Sequence, residues 1–115
     1  MTKYTLKLSE SQMATIKSAM ELYARLGMGQ YLELMNHCPD WEDERMREAV
    51  LMLEKIPNRS LHTIDEKFRQ AWDIYQVVRY QLAWDRDPNG TSYNVEYNEP
   101  MRVAKEKLPE ISKNL

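Results

Sequence analysis

Tyr4, Leu6 and Leu8 alternate with Thr5 and Lys7, a period of two that predicts a short strand. The period then lengthens. Ser9 and Gln12 make the S-x-x-Q pattern of a capping box, and Met13, Ile16, Met20 and Tyr23 follow at helical spacing, with Ala19 and Leu26 widening the apolar stripe. Gly27 and Gly29 interrupt that helix. The stretch QYLELMNH predicts a second, short helix with Tyr31, Leu32 and Met35 turned inward, stopped by Cys38-Pro39. Asp40 is placed to cap a third, in whose first turn Glu42, Asp43 and Glu44 suit the positive end of the helix dipole. Met46, Ala49, Val50 and Leu53 form its apolar face, and Pro57 ends it.

A T-x-x-E capping box, Thr63 and Glu66, opens the longest helix, which runs to about Trp84. Ile64, Phe68, Ala71, Tyr75, Val78 and Leu82 make one apolar face, while Ile74, Val77 and Trp84 make another. A helix apolar on two sides is buried on two sides, so this one is central or packs against a second subunit through Trp84 or Ile74. Beyond it, Tyr93, Val95 and Tyr97 alternate with Asn94, Glu96 and Asn98. That segment predicts a second strand, paired with the first because a lone strand leaves its backbone groups without partners. The pattern therefore predicts one mostly α domain over 1–115. It has about four helices, a small two-stranded β element formed by the N- and C-terminal segments, and an extended C-terminal arm over 99–115.

Composition narrows the class. The chain is 43% hydrophobic and 30% charged with a net charge of −2, which is globular rather than disordered. That balance fits neither a general nucleic-acid binder nor a dense-carboxylate mimic of DNA. The single cysteine, Cys38, cannot form an internal disulfide and fits a reducing compartment. The longest apolar run, AVLML, is far short of a membrane span, and the N-terminus lacks the apolar core of a secretory signal. A soluble, cytoplasmic protein is expected. Seven Tyr, three Trp and eight Met against one Phe favour surfaces that are packed at one end and wet at the other, as at a homo-oligomer contact.

The chemistry is sparse. DRDPNGTSYNVE, residues 85–96, matches the EF-hand skeleton, with Asp85, Asp87 and Asn89 as oxygen donors, Gly90 at the turn and Glu96 closing. An EF-hand needs a helix on each side, and the exiting segment alternates like a strand and meets Pro100. The same residues are those that make turns, which is the reading adopted. Glu33 and His37 share a helix face, but no second such pair completes a bundle-type metal site. There is no phosphate-binding glycine loop and no serine-nucleophile elbow. No catalytic residue, metal site or cofactor is expected, and the chain does not read as an enzyme.

One constellation stands out. Arg69, Trp72, Gln76 and Arg79, with Arg86 further on, form a stripe along the long helix, and Tyr80 lies beside it. Guanidinium groups match phosphates, and an aromatic ring can stack on a base. The pattern also fits a solvated face on which arginine stems cover Trp72.

The segments TLKLSESQMATIKSAMELYARLGMGQ, AWDIYQVVRYQLAWDR and VEYNEPM, in that order, resemble a group of small proteins encoded by bacteriophages and prophages. The resemblance covers both ends and the long helix, with residues 40–60 less distinctive, and it transfers no functional residue. It implies an accessory phage protein acting in the bacterial host cytoplasm. By analogy, such proteins often counter host defences. The leading expectation is thus a non-catalytic, homo-oligomeric phage accessory protein that sequesters a nucleotide-type immune signal, with Arg69, Trp72, Gln76, Arg79, Tyr80 and Arg86 as ligand-binding residues. The alternative is a phage protein that docks on and inhibits a host protein through a Tyr/Met-rich surface.

Overall fold

The capping box at Ser9 forms as the pattern requires. The Gln12 backbone N–H donates to the Ser9 hydroxyl at 3.2 Å, and the Ser9 N–H donates to the Gln12 side chain at 2.9 Å. Two otherwise orphaned donors are satisfied, and helix α1 runs over Glu10–Gly27. In the computed structural model, which describes residues 2–39 and 42–113, a 3-10 turn follows at Tyr31–Glu33, then α2 (Leu34–His37), α3 (Glu44–Leu53), α4 (Glu66–Arg86) and a 3-10 turn at Val95–Tyr97. Asp40 lies outside the described residues. Asp43 caps α3, its carboxylate accepting the Arg45 N–H at 2.8 Å.

Helices α1 and α4 are the main packing pair, and they run antiparallel. Tyr23 meets Phe68 at the lower end of the pair, with ring centroids 4.9 Å apart, while Glu21 accepts the hydroxyl of Tyr75 two turns further up α4. Gly27 does more than interrupt a helix. A Cβ there would sit 2.3 Å from Cγ of Phe68, so the ring packs directly on the α1 backbone.

The second apolar side of α4 is covered by the chain that follows it. Tyr97 is buried edge-on against Trp84 at 4.9 Å, and Gly90 lies against the far edge of the same indole. Trp84, expected at a subunit contact, is thus covered from within. Residues 98–113 then descend alongside α4 without forming a helix or strand. Asp73, only 2% exposed, accepts the N–H groups of Val103 (3.0 Å) and Ala104 (3.1 Å). One turn below, Arg69 donates to the Val103 carbonyl at 2.8 Å. Glu66 accepts the N–H groups of Lys105 (2.8 Å) and Glu106 (3.0 Å). This last contact displaces the expected capping box. Thr63 donates its hydroxyl to the Ser60 carbonyl, and Asp65 stands at the cap of α4 without a side-chain hydrogen bond.

The two-stranded β element is not formed: no strand occurs among the described residues. The expected second strand folds into a 3-10 turn because the Asn94 side chain accepts the Glu96 N–H at 2.8 Å and Tyr97 turns into the core. No edge remains for the first segment, and Tyr4 (93% exposed) and Leu6 (73%) stand in solvent. No described helix is long and apolar enough to cross a membrane. The molecule is elongated, 46 × 32 × 25 Å, with a radius of gyration of 16.0 Å. A chain of this length packed as a single globule would have about 13 Å.

Candidate functional site

The stripe on α4 divides into three environments. Arg69 is spent on the C-terminal arm through Val103. Trp72 lies against Tyr75, ring centroids 5.3 Å apart, and carries the Arg25 guanidinium over its face at 5.5 Å. Gln76, Arg79, Tyr80 and Arg86 belong to the upper half of α4, where a different set of partners assembles.

Glu96 is the centre of that set. Arg86 donates to its carboxylate at 2.7 Å, and Lys17 of α1 and Arg79 lie close enough for their charges to act on it as well. The Arg86 hydrogen bond first, and then these charges, hold Glu96 below the usual carboxylate range. Arg86 is the ion-pair partner of this carboxylate, and the charges of Lys17 and Arg79 act on it from beyond ion-pair distance. Arg79 is oriented by a hydrogen bond to Gln76 and by lying 5.6 Å over the Tyr75 ring. Its Nε is buried and has no hydrogen-bond partner. An N–H desolvated without an acceptor is costly, about 1–3 kcal/mol.

An aromatic row borders the patch. Tyr80 meets Trp84 at 6.4 Å, Trp84 meets Tyr97 at 4.9 Å, and Tyr93 stacks on Tyr97 at 5.5 Å with 20° between planes. Tyr93, at the outer end, is 65% exposed. Sequence reasoning missed Lys17, Tyr93 and the role of Glu96, all of which reach the patch from outside α4.

The loop with the EF-hand skeleton sends its carboxylates to separate partners. Asp87 accepts the Ser92 N–H (2.8 Å) and the Thr91 hydroxyl (2.9 Å), which lower its pKa. Asp85 accepts from Gln81 and pairs with Lys113 at 3.7 Å, while Glu96 faces Arg86. Gly90 takes a positive φ of 65°, as the turn requires.

A second polar cluster joins α1 to α2. Glu21 comes to the Glu33/His37 pair, and ligand-type atoms of the three lie within 4.8 Å of one another. Arg25 already supplies a positive charge there: its Nε is 3.2 Å from Glu21 and 3.8 Å from Glu33, and it donates through Nη1 to Gln30 at 2.7 Å. Burial, followed by the Glu21 carboxylate, raises the pKa of Tyr75 next to it. A pocket between α1 and α4, lined by Gly27, Arg59, Thr63, Ile64, Asp65 and Phe68, has a volume of about 180 Å³. That is below the ~300–1,000 Å³ that ligand clefts usually span, whereas an open hollow of about 800 Å³ lies against Met35, Asn36, His37, Cys38 and Pro39.

No known protein family, curated protein or solved structure matches the chain.

Proposed function

We propose that this is a non-catalytic binding protein of bacteriophage accessory type that sequesters an anionic, nucleotide-type signal of the host cell. The observation that carries the reading is the Arg86–Glu96 ion pair, on which the charges of Lys17 and Arg79 also act, with the Arg79 Nε buried and without a partner among the described residues. Phosphate oxygens would compete with Glu96 for Arg86. The exposed face of Tyr93, backed by Tyr97, would stack on a base. Arg69 and Trp72, expected in the ligand set, are excluded from it because the protein's own chain occupies them.

The test is calorimetry against a panel of cyclic and linear nucleotides. Arg79→Ala is expected to weaken binding by about 1.5–3 kcal/mol, the worth of a hydrogen bond to a charged group. Silence from the wild-type protein across the whole panel would reject the reading. It would favour the second one, inhibition of a host protein by docking, which is supported by the exposed Tyr93, Val95 (62%) and Met101 (80%).

A further inference from the structure

Helix α3 is amphipathic with both faces apolar. Its inner face, Val50 (1% exposed) with the half-buried Met46 and Leu53, packs on α2 and the Tyr31–Glu33 turn. Its outer face is left open: Leu51 is 61% exposed, Met52 69% and Ile56, just past the helix, 41%. At about 100° per residue, Glu44 and Glu48 lie between Leu51 and Met52, and Lys55 follows in the turn just past the helix. The side chains of these three charged residues make no hydrogen bond or ion pair among the described residues.

The surface as a whole exceeds what the chain mass accounts for. Accessible area is 8589 Å², whereas a folded monomer of this mass exposes about 6,600 Å². The excess, roughly 2,000 Å², is more than the ~800 Å² each partner buries in a standard interface. The extended segment 2–8 contributes to this excess. The α3 face carries an ordered pattern of its own, and that pattern complements itself. A two-fold axis between positions 51 and 52 brings Leu51 to Met52 and Glu48 to Lys55, twice over. A face that pairs with its own copy in both charge and apolarity is what a closed dimer requires.

We infer that two copies of this chain pair antiparallel through the outer face of α3, with Leu51 and Met52 at the axis and Glu48 facing Lys55 of the partner subunit. The surface lies apart from the Lys17, Arg79 and Arg86 patch, so this inference and the nucleotide reading stand or fall separately. Sedimentation of the full chain at about 1–100 μM tests it, since interfaces of about 1,600 Å² bind anywhere from micromolar to picomolar. The expected mass is twice the 13.7 kDa of the chain, and Met52→Glu is expected to return it to a monomer. Glu48→Lys and Lys55→Glu should each weaken association about tenfold, and the two together should restore it, because the reversed charges again face their opposites. That rescue also separates a lost contact from a misfolded variant. A monomeric wild type at the top of the range overturns the inference. So does a dimer indifferent to these substitutions, or a double reversal as weak as either single one.

Discussion

Glu96 holds the side chain that a phosphate would need. Its carboxylate takes Arg86 at 2.7 Å and neutralises part of the charge that Lys17 and Arg79 bring. Glu96→Gln removes the negative charge and frees Arg86, so affinity for a nucleotide is expected to rise about tenfold, roughly 1.4 kcal/mol. The same calorimetric titration measures it, and unchanged or weaker binding would remove Arg86 from the site. A second residue acts through space alone. Gly27→Ala drives a methyl to within 2.3 Å of the Phe68 ring. Overpacking of this kind costs about 1–3 kcal/mol, readable as a lower urea midpoint. A variant as stable as wild type would mean that the ring moves aside freely.

Among the elements, the C-terminal arm depends most on ionisation. Hydrogen bonds from the Lys105 N–H first, then from Gln70, hold the Glu66 pKa at about 2 against an ordinary 4.5. A carboxylate with a depressed folded pKa contributes its full stabilisation above the unfolded value and loses it as pH falls through the folded one. The arm contact at Glu66 is therefore expected to weaken between about pH 4.5 and 2. In an NMR titration the Lys105 and Glu106 amide shifts should follow a midpoint near 2, and Glu66→Gln should abolish that step. A midpoint at the ordinary 4.5 would show that the carboxylate makes no such contact. The same residue shows what was legible beforehand. The Ser9 box joins residues three apart and was readable, whereas the Thr63 box fails because Glu66 is claimed by amides 39 and 40 positions away. The partners of Arg69 and Trp72 were unreadable for similar reasons, since they lie on the arm and on α1. Helix α4 was readable from its own period. What covers it was not, because alternation at Tyr93, Val95 and Tyr97 fits a strand and a 3-10 turn equally until Trp84 is in place.

For the molecule as a whole, the helical class followed from periodicity alone, and the elongated shape did not. Elongation comes from α3 packing at the side of α2 and from a first segment with no edge to join. Calcium offers a global check on the 85–96 loop. A ligand that binds only the native state raises the melting temperature of the entire fold. The loop carboxylates are held by Gln81, Thr91, Ser92 and Arg86, so millimolar calcium is expected to leave the melting curve unmoved. A rise abolished by Glu96→Gln would restore the EF-hand reading.

The arm also sets a schedule for folding during synthesis. Asp73 leaves the ribosome 30 and 31 residues ahead of the two amides that will satisfy it. At ordinary elongation rates that interval lasts roughly 2–6 s, far longer than a helix needs to form. Through it, the nascent α1 and α4 can meet while a carboxylate destined for the interior still requires water. Final burial of that side of α4 thus waits for the last stretch of chain, and a messenger truncated before codon 103 would yield a product whose helices form but whose core stays wet.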